Sequence, residues 1–219
     1  MIVIIQCAAT KRHDAGRMVN RDGRPIEFVA DPTLAPRETD RLYARPDDPG
    51  YDGNSWRELV RDYNKTPNNN PLGLLPAYQL YENRTYARLT DSFGIASVFI
   101  LSAGWGLITA DFLTPYYDIT FSKNPKVPKF KRRNKSDKYD DLCLLSDDTL
   151  DTVVFFGGKD YLPLFCELTG GIRAPRTVFY NSATLPDAPG CKLVRYETST
   201  RTNWHYECAN ALLDGKIKI

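Results

Sequence analysis

The amino-acid sequence predicts an α/β fold, a mostly parallel sheet flanked by helices, with an N-terminal hairpin or loop insertion. Two observations predict this class. Short runs rich in Val, Ile, Phe and Leu alternate along the chain with stretches of helical spacing. These runs are almost continuously apolar, which is typical of strands covered on both faces. Since no linker divides the chain, we expect one α/β domain over 1–219, with 13–75 as an insertion or long loops.

The predicted strands are the apolar runs bounded by Gly, Pro or polar residues, at 2–6, 96–102, 152–156 and 177–180, with a weaker signal at 192–196. Apolar residues at helical spacing predict helices over 55–63, 76–93, 160–169 and 204–213. Ser55 would cap the first of these helices. In the insertion, Asp22-Gly23 predicts a hairpin turn that leads into a strand at 25–30.

The composition indicates an ordinary globular protein, with 42% hydrophobic and 26% charged residues. No apolar stretch approaches the roughly 20 residues needed to span a membrane. The apolar start at 1–5 is too short for a signal-peptide core, so we expect a cytoplasmic protein. The five cysteines and two histidines show no zinc spacing. We therefore expect neither a metal nor an organic cofactor.

A run of basic residues at 122–140, the basic loop, is the main charge feature. Eight lysines and arginines lie between Lys123 and Lys138, and Asp137 is the only acid among them. Such density favours a phosphate backbone, with affinity falling as salt rises. The alternative is a solvated loop without a partner. We favour DNA because the loop directly follows a candidate site, and the expected backbone contacts are Lys129, Lys131, Arg132, Arg133 and Lys135.

That candidate site begins where the run at 96–102 ends in Ser-Ala-Gly-Trp-Gly. Such an ending predicts a buried strand that opens into a tight loop. Ligands of α/β proteins gather at the carboxyl ends of strands. We therefore expect Ser102 and Trp105 to face a substrate, with Trp105 offering a flat apolar surface. Tyr117 and Asp118 follow and would complete this pocket.

Three further segments carry candidate substrate-binding residues. The first strand is followed by Cys7 and, after three small residues, by Lys11, which could hold a phosphate beside backbone amides or simply leave the strand. Lys159 follows a double glycine and would support an anion at a helix start. Asn203 could read the edge of a base, although it could equally cap the last helix.

The acid–base candidates are Asp118, Glu27 and His205. Cleavage of an N-glycosidic bond needs a carboxylate to position water or to stabilise an oxocarbenium-like sugar. A donor that relieves charge on the departing base assists it. Asp118 is the favoured carboxylate and Glu27 the alternative. His205 would be a proton donor or, as a lone histidine, a structural residue.

Four motifs together resemble the YaaA-like/DUF6884 group of small α/β proteins. In order they are Cys7-Ala-Ala-Thr-Lys11, Leu101-Ser-Ala-Gly-Trp-Gly-Leu107, Tyr117-Asp-Ile-Thr120 and Gly157-Gly-Lys-Asp-Tyr161. The resemblance covers about two thirds of the chain and leaves 13–75 outside. Trp105 stands where that group usually has a basic residue, and Ala8 where it usually has Ser. These departures weaken any transfer of residue roles.

The resemblance implies a function connected with nucleic-acid bases. The chain also resembles the Brig-type antiphage DNA glycosylases, which remove hypermodified pyrimidines from phage DNA. This implies a DNA glycosylase that flips a modified base into a pocket lined by Trp105 and Tyr117. The alternatives are a non-catalytic DNA-binding stress-response protein and a transferase acting on a nucleotide or modified base.

Overall fold

The computed structural model describes residues 1–198, 200 and 202–219. The strands of these residues are β1 Ile2–Gln6, β2 Ile26–Val29, β3 Leu42–Ala44, β4 Leu75–Pro76, β5 Val98–Ser102, β6 Gly106–Thr109, β7 Leu113–Thr114, β8 Tyr117–Asp118, β9 Leu142–Cys143, β10 Val153–Phe156, β11 Arg176–Tyr180 and β12 Cys191–Arg195. The α-helices are α1 Trp56–Tyr63, α2 Ala77–Leu80, α3 Thr85–Phe93, α4 Leu162–Thr169 and α5 Trp204–Leu213. Within the same residues, no helix has the length and apolarity needed to cross a membrane.

A seven-stranded sheet forms the centre of the molecule, in the order β12-β11-β10-β1-β5-β6-β9. The five strands from β12 to β5 are parallel, whereas β6 runs antiparallel to β5. Strands β5 and β10 are buried along their whole length, as their continuous apolar sequences require. The predicted α/β class with a mostly parallel sheet is confirmed. The antiparallel strand β6 was not predicted.

Helices flank this sheet, and the chain leaves its two central strands in opposite directions. From β1 the chain leads to its neighbour β5, whereas from β10 it leads to β11 on the other side. Helix α3 packs against β5 and α5, while Phe165 of α4 stacks on Phe155 of β10 with ring centroids 4.4 Å apart. The carboxyl ends of β1 and β10 therefore form the topological switch point, where open α/β sheets bind ligands.

The start of helix α1 is determined by its local sequence, whereas the break between α2 and α3 depends on a tertiary contact. Helix α1 begins with a capping box, in which Ser55 and Glu58 each accept a hydrogen bond from the other's backbone N–H, so the predicted cap is confirmed. The single helix predicted over 76–93 is wrong, because the chain forms α2 and α3 instead. Tyr81 adopts an extended conformation between them and forms an antiparallel bridge with Lys11.

The insertion at 13–75 is folded onto the main sheet. Val19 and Pro25 form an antiparallel bridge across the predicted turn, where Gly23 has φ of 79°. The strand that follows, β2, pairs in parallel with both β3 and β8, which adds a three-stranded sheet to the expected hairpin. One hydrophobic core joins this small sheet to the large one.

Candidate functional site

An open cleft lies at the carboxyl ends of β1 and β10, at the topological switch point. It consists of two adjoining lobes with volumes of about 450 and 400 Å³. The residues that border both lobes are Gln6, Gly158, Asp160, Thr202 and His205. Volumes of this size suit a small molecule or a single base taken out of a nucleic acid. We term this feature the switch-point cleft.

The two lobes combine apolar surfaces with a few polar groups, as is usual for ligand sites. The larger lobe is lined by the apolar residues Leu162, Val178, Phe179 and Trp204. Lys159 and the amide of Asn181 add polar groups to it. The smaller lobe is bordered by Cys7, Tyr161, Asn203 and Tyr206. The structure thus brings together four predicted site residues from distant segments, Cys7, Lys159, Asn203 and His205.

His205 is a buried titratable group of the cleft, with 3% of its surface exposed. Burial lowers its pKa to about 4, so the ring is neutral at pH 7. The role of His205, as a proton donor or as a structural residue, stays a prediction. Among the described residues, Nε2 is buried without a hydrogen-bond partner. A ligand atom that paired with it would remove the cost of a buried, unsatisfied polar group.

Gln6, which the sequence analysis missed, lies at the centre of the cleft with its amide held in one orientation. Its Oε1 accepts a hydrogen bond from the backbone N–H of Gly158 at 2.6 Å. Because that partner can only donate, it identifies which end of the amide is oxygen. Within the described residues, Nε2 makes no hydrogen bond. The available signal was a polar residue that ends an otherwise apolar central strand.

Asp160 is the carboxylate that borders the cleft, and it was also missed as a site residue. Nζ of Lys135 lies 3.0 Å from its Oδ1 and donates a hydrogen bond to the carbonyl oxygen of Lys159 at 3.2 Å. These contacts tie the basic loop to the segment that follows β10. The sequence signal was the position of Asp160 directly after the Gly-Gly-Lys segment.

Buried hydroxyl groups lie beneath the smaller lobe. Sγ of Cys7 is 3.2 Å from the hydroxyl of Tyr161, and the hydroxyls of Tyr86 and Tyr206 are 3.0 Å apart. Burial, together with the nearby Cys7, raises the pKa of Tyr161, so its phenol is neutral at pH 7. Cys7 itself is buried. This layer gives the cleft a rigid, uncharged floor.

The two carboxylates favoured from sequence lie together, but outside the cleft. Strand β8 pairs with β2, which places Asp118 opposite Val29, two residues after Glu27. Asp118 forms an ion pair with Lys131, and Glu27 forms one with Arg41 at 3.0 Å. Burial alone would lower the pKa of Lys131, but its hydrogen bond to Asp118 and the charge of that carboxylate raise it. Neither carboxylate borders the cleft, so the structure does not bring them together with the cleft residues, and their catalytic role stays a prediction.

Lys11 is a buried lysine close to Tyr117 and Asp118. Its side chain is buried, with Nζ 4.2 Å from the centroid of the Tyr117 ring and 3.3 Å from the carbonyl oxygen of Ala9. Burial lowers the pKa of Lys11, while the neighbouring Cys7 and Asp118 oppose that shift. Because the ammonium is enclosed, the predicted role in holding a phosphate at the surface does not fit this structure.

The segment expected to form a base pocket belongs to the core instead. Trp105 and Tyr117 have no exposed surface. The ring of Phe28 approaches Trp105 edge to face at 5.1 Å, so the insertion covers the indole. Ser102 is also buried, and its Oγ donates to the Tyr117 hydroxyl at 2.8 Å while accepting from the Trp105 N–H at 3.1 Å. The predicted stacking and substrate contacts of these three residues are therefore wrong.

The glycines of this segment are explained by the close packing around their Cα atoms. A Cβ at Gly106 would lie 2.3 Å from the carbonyl oxygen of Leu142, so glycine is needed where β9 joins the sheet. Its φ of 88° is also in the left-handed region. A Cβ at Gly104 would lie 3.1 Å from the ring of Tyr117. These glycines thus allow close approaches to strand and core atoms.

The basic loop divides into internal and exposed side chains. Arg133 is buried in an ion pair with Asp141 and donates to the carbonyl oxygen of Ala103 at 2.9 Å. Arg132 donates to the carbonyl oxygens of Val127 and Pro125. The predicted DNA contacts of Arg132, Arg133 and Lys131 therefore do not fit, since all three side chains have internal partners. The exposed lysines of the loop are Lys123, Lys126, Lys129, Lys135 and Lys138.

Comparisons with protein-family models, with curated proteins and with solved structures give no match. The motif resemblance to the YaaA-like/DUF6884 group therefore stays a prediction. Within the residues that the structure describes, no group of three or more His, Cys, Asp or Glu side chains is placed to hold a metal ion. What supports a function is the chemistry of the cleft.

Proposed function

We propose that this chain is a nucleic-acid base enzyme, a DNA glycosylase that hydrolyses the N-glycosidic bond of a modified base. The observation that carries the proposal is the switch-point cleft. There a buried neutral imidazole, an oriented amide donor and a carboxylate border one space with aromatic surfaces. These groups are His205, Gln6 and Asp160, and Phe179 and Trp204 supply aromatic surface.

The lobes supply what an extruded base needs. Flat aromatic and apolar surfaces favour a base that has left its stack, and polar side chains around them can read its edge. The amides of Asn181 and Asn203 border the larger and the smaller lobe respectively. Neither side chain has a hydrogen-bond partner among the described residues, so both are available to a base.

Asp160 is the group that would serve the chemistry. A carboxylate beside the sugar stabilises the positive charge that develops at C1′ and orients the attacking water. Water then forms a bond to C1′ and releases a proton, the C1′–N bond breaks, and its electron pair leaves with the base, which takes up one proton in exchange. The contact with Lys135 holds the carboxylate in a defined position before the substrate arrives.

The basic loop would bring DNA to this site. Residues 120–122, at the start of the loop, border the smaller lobe, and Lys135 joins the loop to Asp160. The lysines Lys123, Lys126 and Lys129 are exposed, whereas the arginines of the loop have internal partners. Phosphate contacts made there would position a strand without reading its sequence.

The test is release of free base from DNA. Purified protein is incubated with phage DNA carrying modified bases and with unmodified DNA, and free base and abasic sites are quantified. We expect release from modified DNA and a loss of at least about 100-fold in Asp160→Asn with DNA affinity retained. Unchanged release in Asp160→Asn would refute the role of Asp160. Salt-sensitive binding without release from any DNA would refute the glycosylase and favour the non-catalytic DNA-binding protein.

A further inference from the structure

We propose that Gln6 recognises a carbonyl oxygen of the base and stabilises the negative charge that develops there as the base leaves. This inference rests on the proposed glycosylase function and deepens it. It defines the substrate class as bases in which a ring carbonyl is conjugated with the glycosidic nitrogen. The inference is based on one contact: Gly158 holds the amide of Gln6, and both residues border the two lobes.

The side-chain amide of Gln6 is held through its oxygen, and the backbone of Gln6 is held by a second hydrogen bond. The N–H of Gly158 binds Oε1 at 2.6 Å, and the hydroxyl of Tyr86 donates to the backbone carbonyl oxygen of Gln6 at 2.8 Å. Rotating the amide by 180° would bring its NH2 against the N–H of Gly158, placing two donors together. The free end of Gln6 is therefore a donor in a set position, between the segments that follow β1 and β10.

The other amides of the cleft are not constrained in this way. The side chains of Asn181 and Asn203 have no partner among the described residues, so either end of each amide can turn toward a ligand. They can adapt to a base edge of either polarity. Gln6 cannot, because only its NH2 is available. The fixed donor selects an acceptor such as a carbonyl oxygen and disfavours an amino group at the same place.

A fixed donor at a carbonyl also assists the reaction. When the C1′–N bond breaks, the electron pair passes to the base, and conjugation carries part of the negative charge onto the carbonyl oxygen. A hydrogen bond to that oxygen is stronger in the transition state than in the ground state, which is the condition for catalysis. Because Gly158 already holds the amide, little reorganisation accompanies the step.

Gln6→Glu is the matched variant for this proposal. It keeps an oxygen that accepts from the Gly158 N–H and replaces the donating NH2 with a second oxygen. We expect base release to slow by about 100- to 1,000-fold, as when one oxyanion donor is removed, with DNA affinity little changed. The loss should shrink along a series of substrates whose bases are increasingly acidic, because a better leaving group depends less on the donor.

Three outcomes would overturn the proposal. Unchanged release in Gln6→Glu would refute it while leaving the glycosylase function intact. An equal loss across the whole leaving-base series would indicate a structural effect rather than charge stabilisation. The third test does not depend on turnover: the side-chain NH2 signals of Gln6 are followed by ¹⁵N NMR during titration with free uracil or free adenine. We expect larger shifts with uracil, and equal or absent shifts would contradict carbonyl recognition.

Discussion

The buried ring of His205 predicts a loss of stability in mild acid. Its pKa falls from 6.5 to about 4 in the folded protein, a difference of about 2.5 units. The unfolded chain therefore binds one proton more than the folded chain between these two values, which favours unfolding as the pH falls. At about 1.4 kcal/mol per unit, the free energy of unfolding should drop by about 3 kcal/mol between pH 6.5 and 4. Above pH 6.5 this contribution is fully present.

The assay is urea denaturation at steps between pH 7.5 and 4.5, followed by circular dichroism and tryptophan fluorescence. His205→Gln removes the titrating ring and should flatten the pH dependence over this window. His13→Gln is the matched control, because His13 is the other histidine and its side chain is exposed. Exposed carboxyls with lowered pKa values, such as those of Asp14 and Asp62, lose their contribution only below the window. The same steep slope in wild type and His205→Gln would show that His205 is not the group responsible for the pH dependence.

Two further predictions concern the basic loop. Arg133→Met leaves the charge of Asp141 buried and unpaired, so the free energy of unfolding in urea should fall by about 3–5 kcal/mol; a change below about 1 kcal/mol would contradict a buried pair. Replacing the exposed loop lysines by Gln should reduce the slope of log K against log salt for duplex DNA by up to about 2.7, or about 0.9 for each lost phosphate contact. These lysines are Lys123, Lys126 and Lys129. The control replaces three exposed lysines elsewhere, Lys65, Lys216 and Lys218. Equal slopes in the two triple variants would contradict a DNA role for the loop.

The main sheet was predictable because its strands are encoded locally. Strand β1 has the predicted bounds, and β5, β10, β11 and β12 each start or end within two residues of them. What local pattern could not show is pairing between distant segments. The bridge between Lys11 and Tyr81 interrupts the apolar periodicity of 76–93, and strand β6 returns antiparallel after a tight loop. Both outcomes depend on partners that a window of sequence does not contain.

The candidate site was predictable where it follows from topology. Parallel strands end at one edge of a sheet, so the residues after β1 and β10 had to lie close together, and Cys7 and Lys159 do border the cleft. Burial was not predictable in the same way. Trp105 follows a strand end as a ligand-binding residue would, but Phe28 from the insertion covers it. Gln6 and Asp160 were overlooked because each looks like an ordinary element boundary.

Charge roles were the least predictable feature. In sequence the basic residues of 123–138 look alike, yet Lys131 pairs with Asp118 and Arg133 with Asp141, while Lys123 and Lys126 are exposed. Which of them can meet a phosphate depends on the fold of the loop. The same applies to the carboxylates, since Asp118 and Asp160 are both paired with a lysine and only Asp160 borders the cleft.

In the proposed function, chemistry takes place in the switch-point cleft and not at the segment that ends with Asp118. The most direct measurement compares rates of base release from modified DNA for Asp160→Asn and Asp118→Asn, with folding of both checked by circular dichroism. We expect Asp160→Asn to lose at least about 100-fold and Asp118→Asn to stay within a few-fold of wild type. Loss of release in folded Asp118→Asn, with Asp160→Asn unaffected, would contradict the account.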